Sequence, residues 1–323
     1  MLPRNKNYYY SIIVLSVLFA IYLAFLPIDS FVDRDNYLIY TSAYDLIFIN
    51  IIQGGLFSII FNEPFFIFII FLLSTFFGTE DILRVIIAFS TFSTFYLVLK
   101  NVPKRFFLLA LLILLLPQVL KNNIIHLRQG LAVSIFLWGW FSNKPSRKVI
   151  LLSLAALTHS SFFIVDFSLL TILVVQRLKV SSSIKYLFYS AYGLALGLFG
   201  IAISAYLGAR QGIEYKGIET ENSGLNFIYW FFILILYLSQ GKSFFERNTA
   251  SLFFIIIYLT TYFTLPVTAR IFESVLIIVL LSSLNLRGYK RQVFYIMYVI
   301  YFIYSWYFRL FQPGFGWDVV NYH

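Results

Sequence analysis

Apolar runs long enough to cross a lipid bilayer recur along the whole chain, and they limit the folds open to it. A transmembrane helix needs about 20 predominantly apolar residues. The runs are continuous, whereas the strands of a membrane β-barrel alternate polar and apolar residues over segments of about ten, so the pattern favours helices. The apolar runs are residues 8–27, 64–77, 82–99, 106–120, 125–141, 149–175, 186–207, 225–238, 252–263, 267–284 and 293–308.

The small charged fraction supports the same interpretation. Only 12% of the 323 residues are charged, against about 25% in soluble domains, which leaves too little polar surface for a protein in water. We therefore predict an all-α protein, a polytopic transmembrane helical bundle of about 10–12 membrane segments in a single integral membrane domain over residues 1–323. The first run follows Arg4 and Lys6 and is predicted to be a retained signal anchor. The absence of cysteine excludes disulfides, thiol catalysis and Cys-ligated metals.

The distribution of basic residues predicts the orientation in the membrane. Lys and Arg are concentrated near the N-terminus and in short segments around residues 100–105, 144–148, 177–185, 242–247 and 287–291. Loops rich in Lys and Arg stay in the cytoplasm. We therefore expect a cytoplasmic N-terminus, with external loops at about 28–45 and 208–224 and a short external tail at about 312–323.

This orientation requires a break within one long apolar run. Lys148 and Arg177 are both predicted to be cytoplasmic, yet the stretch of about 27 residues between them is too short to cross the membrane twice as a helix. A hairpin that turns inside the membrane at residues 158–161 fits better, and such a break is tolerated only where it lines a cavity in the protein. A similar problem arises between Asp45, predicted to be external, and Lys100, predicted to be cytoplasmic. A second hairpin with its turn at residues 62–64 would solve it.

Ionisable residues inside transmembrane segments are costly and are therefore candidates for a functional site. Arg128, His159, Asp166 and Arg270 fall at such positions. Arginine offers a planar fork that suits phosphate oxygens, so Arg128 and Arg270 are candidates to hold an anionic group. Structural alternatives remain open: the arginines can snorkel or form ion pairs, as Arg270 can with Glu273, and His159 can be a hydrogen-bonded structural residue. Asp166 is expected to be a structural partner.

Several function classes are excluded or disfavoured. The chain contains no Walker A loop, no dinucleotide-binding GxGxxG unit, no HExxH and no GxSxG, and its histidines lack a paired metal spacing. We therefore expect no metal and no cofactor. The net charge of +10 follows from the cytoplasmic loop bias and suits anionic lipid headgroups, so no nucleic-acid partner is expected.

Several short motifs resemble those of EpsG-like proteins, which belong with the Wzy-type polysaccharide polymerases of bacterial envelopes. They occur in the family's order from about residue 30 to about residue 275. Leu127 and Thr158 depart mildly from the residues usual in the family. The matching residues are Asp33 with Tyr37 and Tyr40, Glu63-Pro64-Phe65-Phe66, Asn123 with Leu127-Arg128-Gln129-Gly130-Leu131-Ala132, Ala156-Leu157-Thr158-His159-Ser160-Ser161, and Arg270 near a helix start.

The resemblance implies polymerisation of polyprenyl-pyrophosphate-linked oligosaccharide repeats at the outer face of the plasma membrane, in capsule, O-antigen or exopolysaccharide synthesis. It also implies a distant GT-C-like glycosyltransferase architecture. The expected partners are the lipid-linked oligosaccharide, the bilayer, and chain-length regulator and flippase proteins.

The roles of the site residues follow from this reaction. Arg128, Arg270 and Gln129 are predicted to bind the pyrophosphate, because cations placed where charge develops stabilise the leaving group. His159 is the candidate base for the acceptor hydroxyl, with Asp33 or Glu63 as alternatives. Two other functions stay open: a glycan-lipid flippase, which would be expected to carry an internal repeat, and a membrane acyltransferase that modifies glycans.

Overall fold

The computed structural model describes residues 6–178, 180–214 and 224–319. Within these residues the regular structure is helical, apart from an isolated antiparallel bridge between Phe31 and Asp318, so the predicted all-α class is confirmed. Arg4, most of the predicted 208–224 loop and the end of the predicted tail lie outside the described residues.

The helices follow one another with short connections. Short 3-10 turns lie at Lys104–Phe106, Ser282–Asn285 and Pro313–Gly316. The α-helices of the described chain are α1 (Lys6–Ala24), α2 (Arg34–Ser42), α3 (Tyr44–Gln53), α4 (Gly55–Phe61), α5 (Pro64–Ser74), α6 (Thr79–Asn101), α7 (Phe107–Leu114), α8 (Pro117–Ile124), α9 (Leu127–Trp140), α10 (Pro145–Thr158), α11 (Ser161–Arg177), α12 (Ser182–Tyr206), α13 (Arg210–Glu214), α14 (Leu225–Leu238), α15 (Lys242–Arg247), α16 (Thr249–Thr261), α17 (Thr268–Leu281) and α18 (Tyr289–Leu310).

Five helices of the described chain are long and apolar enough to cross a membrane: α1, α6, α12, α17 with its 3-10 extension, and α18. The number rises to seven if the broken pairs α4–α5 and α7–α8 each form one span. Three further apolar helices, α3, α14 and α16, are shorter. These helices support a multi-pass membrane protein. The count is lower than the expected 10–12 segments because several predicted runs fold as helices of only 13 or 14 residues, such as α9, α14 and α16.

The predicted break in the run 149–175 is confirmed. The α10 helix ends at Thr158 and α11 begins at Ser161, with His159 in an extended conformation (φ −150°, ψ 126°) between them. A break also lies at the predicted turn between α4 and α5. The apolar run at 106–120 does not form one straight helix. Helices α7 and α8 are bent by 63° where Pro117, which cannot donate the backbone hydrogen bond of a continuing helix, opens α8.

The chain divides into two compact units. Unit 1 comprises residues 1–55, 63–159 and 302–323. In this unit α6 packs between α1 and α9, and α9 also packs against α10. The α6 helix is buried over 72% of its most apolar window, compared with 28% for α1, so α6 forms the centre of the unit.

Unit 2 comprises residues 56–62 and 160–301, with α16 packed against α12, α14 and α17. The contact between α12 and α16 is close because α12 presents Gly193 and Gly197. A Cβ at either glycine would overlap the hydroxyl of Thr260 or Thr264. Glycines four residues apart allow two helix backbones to approach closely, as in membrane helix pairs.

Candidate functional site

The candidate site in unit 1 begins at the short break between α8 and α9. Helix α8 ends at Ile124 and α9 begins at Leu127, so Arg128 lies in the first turn of α9. Gly130, one turn into α9, faces the backbone of α8, and a Cβ at this position would overlap the carbonyl of Asn122. A glycine is therefore required for α8 and α9 to pack this closely, and their packing fixes the start of α9 that carries Arg128.

Glu63 is the N-cap residue of α5, but it does not cap the helix with its side chain. Its backbone is left-handed (φ 62°, ψ 47°), a conformation that costs of order 1–3 kcal/mol for a residue other than glycine. In the first turn of α5, Pro64 has no N–H to be capped, and the N–H of Phe66 donates to the backbone carbonyl of Glu63 at 3.1 Å rather than to its side chain. The carboxylate is consequently available for contacts elsewhere in unit 1.

Glu63 contacts both Arg128 and His159. The Nη1 group of Arg128 donates to Glu63 Oε2, and Nδ1 of His159 lies 2.5 Å from Glu63 Oε1. The side chains of Arg128, Glu63 and His159 are only 13%, 8% and 6% exposed. Arg128 compensates the charge of Glu63 in this buried place, and the tautomer of His159 that carries its proton on Nδ1 would donate to Glu63 Oε1.

The rings of two tyrosines of α2, Tyr37 and Tyr40, also contact the guanidinium of Arg128. Its carbon Cζ lies 5.5 Å from the ring centre of Tyr37 and 4.9 Å from that of Tyr40, within the range of cation–π attraction. Nη1 also donates to the hydroxyl of Tyr40 at 3.3 Å, whereas Nε of Arg128 makes no hydrogen bond within the described residues. The structure thus brings together three motifs that are far apart in the sequence, around Tyr37, Glu63 and Arg128.

Arg34 is a component of the site that sequence reasoning missed. It is completely buried; its Nε donates to the carbonyl of Ile124 at 2.7 Å and its Nη1 to the carbonyl of Pro27 at 3.0 Å. Burial, assisted by the charge of Arg84, lowers the pKa of Arg34 to about 10, so the side chain stays charged at neutral pH. A cation at the C-terminal carbonyls of α8 is favourable, and it fixes the end of α8 beside the break before Arg128. The sequence signal that could have pointed to Arg34 is its position as a basic residue between two acidic ones, Asp33 and Asp35.

Asp33 lies near a second histidine. Like Glu63 it is an N-cap residue with a left-handed backbone (φ 66°) and no capping hydrogen bond from its side chain. Its Oδ2 is 3.8 Å from Nε2 of His126, and the two side chains are 41% and 14% exposed. Asp33 is therefore more accessible than Glu63, and its pairing with His126 was not foreseen because His126 matched no motif.

The remaining predicted residues have different surroundings. Gln129 is buried on α9, at 2% exposure. Arg270 lies in the first turn of α17 in unit 2, as expected for a residue near a helix start, and lines a groove described below. Because Arg128 and Arg270 belong to different units, their sharing of one pyrophosphate stays a prediction.

Asp166 does not fill the structural role expected for it. Its Oδ1 atom is buried on α11 and makes no hydrogen bond within the described residues.

Among the described residues, no group of three or more His, Asp or Glu side chains is arranged to hold a metal ion.

Comparison with known proteins identifies the family. The model of the EpsG family matches residues 6–322, nearly the whole chain. No curated protein and no solved structure matches the chain. The protein therefore belongs to the EpsG family of Wzy-like polysaccharide polymerases.

Proposed function

We propose that the protein polymerises oligosaccharide repeat units carried on polyprenyl pyrophosphate, by glycosyl transfer at the outer face of the plasma membrane. The family supports a role in polysaccharide polymerisation. The observation that carries the finer proposal is the buried contact of Glu63 with both Arg128 and His159. A carboxylate that orients a histidine, beside an arginine, is an arrangement suited to proton removal next to a departing phosphate.

In this proposal His159 is the general base. Glu63 holds the proton on Nδ1 and leaves Nε2 to accept the proton of an acceptor sugar hydroxyl, as a carboxylate orients the histidine of a hydrolase triad. The hydroxyl oxygen forms a bond to the anomeric carbon of the donor, and the bond from that carbon to the pyrophosphate oxygen breaks. The electron pair leaves with the pyrophosphate, and the proton stays on His159.

Arg128 would act on the leaving group and on Glu63 together. Its Nη1 group is engaged with Glu63 and Tyr40, while Nε makes no hydrogen bond within the described residues. A phosphate oxygen at Nε would therefore give this donor a partner without displacing Glu63. Charge-assisted bonds of this kind are roughly twice as strong as neutral ones.

A reconstituted reaction tests the proposal. The purified full-length protein is placed in liposomes with the lipid-linked repeat unit isolated from a strain that lacks the gene, and the products are separated by length. We expect a ladder of polymers on the lipid, and failure to extend the single repeat would contradict the proposal.

The same deletion strain separates the alternative functions. A polymerase defect leaves single repeats on the outer leaflet, where periodate added to intact cells oxidises them. A flippase defect leaves the repeats on the inner leaflet, protected from periodate, and an acyltransferase defect leaves long chains that lack acyl groups. Protected repeats or long unacylated chains would overturn the polymerase assignment.

A further inference from the structure

A long groove runs between α11 and α12 in unit 2. It has a volume of about 730 Å³, within the range of about 300–1,000 Å³ typical of ligand pockets. Its walls are one face of each helix, with side chains spaced three or four residues apart. Representative lining residues are Phe163, Phe167 and Val174 of α11 and Tyr192, Leu196 and Phe199 of α12.

The groove is extended rather than compact. Its lining on α11 continues from Ser161 to Leu178, a length of about 26 Å at 1.5 Å per residue. This is close to the thickness of about 30 Å of the hydrocarbon core of a bilayer. The shape suits a single flexible chain better than a ring or a globular ligand.

The packing of unit 2 explains why the groove exists. Gly193 and Gly197 hold α12 tightly against α16 and the turn after it. The first residue of α11 is held to α17 by a contact of 3.0 Å between the hydroxyls of Ser161 and Ser274. Both helices also pack on α16, and the hydroxyl of Ser168 on α11 donates to that of Tyr192 on α12 at 3.3 Å, so the groove is a depression between two helices that meet at this contact.

One end of the groove is polar and carries a cation. Ser160, Ser161 and Arg270 line it together with the apolar residues. Ser274, which contacts Ser161, lies one helical turn after Arg270 and donates its hydroxyl to the Arg270 carbonyl at 3.1 Å. Arg270 is therefore at the level of the N-terminal end of α11, while the rest of the groove is lined mainly by apolar side chains.

We propose that this groove holds the isoprenoid tail of the lipid-linked substrate, with the phosphate head of that lipid at Arg270; this rests on the function proposed above. An apolar channel with a cation at one end is complementary to an amphiphile with an anionic head. The length of the groove along α11 and the single cation at its polar end suit a polyprenyl phosphate, which carries one long chain on its anionic head. Because lipid tails are as apolar as the groove, tail binding here depends on close packing rather than on exclusion of water.

Photocrosslinking tests the site without relying on polymer synthesis. A benzophenone amino acid replaces Phe167 of the groove or Leu173, a control on α11 outside the groove with the same exposure of 55%. The full-length protein is placed in phosphatidylglycerol vesicles that contain a polyprenyl phosphate. We expect crosslinks to the polyprenyl phosphate at position 167 well above those at position 173. Equal labelling at both positions, or labelling by phosphatidylglycerol alone, would overturn the proposal.

Kinetics with two substrates supply a second test. Ala195→Trp fills the groove, while Leu198→Trp adds the same side chain to an exposed position of α12 outside it. Filling the groove should raise KM several-fold for a substrate with a full-length tail and leave kcat unchanged, since tail binding is equal in ground and transition states. The difference should vanish for a substrate with a truncated tail, and an equal effect on both substrates would contradict the proposal.

The two proposals can fail separately. Selective crosslinking at position 167 by a protein that makes no polymer would preserve the groove and reject the polymerase reaction. Polymer synthesis by a protein that crosslinks equally at positions 167 and 173 would support the polymerase reaction and reject the groove as the site of the tail.

Discussion

Arg128 and Arg270 carry the same charge, and both were predicted to bind a pyrophosphate, yet their surroundings differ. Arg128 is in a buried network with Glu63, His159 and the rings of two tyrosines. Arg270 is at one end of an apolar groove. A cation compensated by a carboxylate keeps a fixed geometry, which suits chemistry at a reacting atom, whereas a cation beside an apolar channel suits the capture of an amphiphile. Under the proposed function, the first arginine would serve the chemical step and the second would serve lipid recognition.

The largest effect is expected from removing Glu63. Glu63→Ala leaves Arg128 buried without its carboxylate and His159 without its orienting partner. Breaking a buried ion pair in this way typically costs about 3–5 kcal/mol, so polymer synthesis should be lost and the protein should denature at a lower temperature. Thermal denaturation in detergent and the glycan profile of the complemented deletion strain measure the two effects.

A double variant separates stability from chemistry. Glu63→Leu combined with Arg128→Met removes both charges, so thermal stability should recover towards that of the natural protein while polymer synthesis stays absent. Full activity of this double variant would contradict the assignment of the chemical step to Arg128 and its partners.

Replacement of each arginine by lysine sharpens the comparison. Arg128→Lys keeps the charge but loses the fork that contacts Glu63 and Tyr40. The loss of one charge-assisted hydrogen bond, about 1.5–3 kcal/mol, predicts a fall in kcat of about 10- to 150-fold. Arg270→Lys should mainly raise KM, and by less, because a lysine still attracts an anionic head. Steady-state kinetics in liposomes distinguish the two, and identical kinetic defects would remove the proposed division of roles.

A smaller effect is expected for the hydroxyl of Tyr40. Tyr40→Phe keeps the ring over Arg128 and removes its hydrogen bond of 3.3 Å to Nη1, so activity should fall about 2- to 13-fold, in line with about 0.5–1.5 kcal/mol for a single bond. Tyr44→Phe is the matched control, since the ring of Tyr44 packs against Phe71 and has no contact with Arg128 among those described. Equal activity of both variants would show that the hydroxyl of Tyr40 does not help to position Arg128.

Much of the fold followed from the sequence because membrane helices leave a strong apolar signal. The run predicted over 225–238 coincides with α14, and the break at His159 was inferred from the basic residues on either side of it. The bend between α7 and α8 was missed because Leu115 and Leu116 continue the apolar pattern through it. Only Pro117 marks that bend, and proline is also common in the first turn of a continuous helix.

The site was less predictable because its geometry depends on contacts between distant segments. Arg128, Glu63 and His159 were each singled out, but their spacing of tens of residues gives no indication that one carboxylate contacts the other two. The role of Arg34 was hidden because a charged residue in an external loop is ordinarily assumed to be solvated. Its burial against the carbonyl of Ile124 depends on a contact over 90 residues of sequence, which the gap between the apolar runs 106–120 and 125–141 does not indicate.

The polymerisation rate of the His159→Ala variant tests the central claim most directly. The purified variant and the natural protein are compared in liposomes with the lipid-linked repeat unit. Loss of a general base predicts a fall in kcat of about 100- to 10,000-fold, with the variant still folded and still binding the lipid. His126→Ala is the control, because His126 lies 3.8 Å from Asp33 rather than at the carboxylate of Glu63, and its loss should lower the rate far less than loss of the general base. A His159→Ala protein that polymerises as fast as the His126→Ala protein would contradict the account.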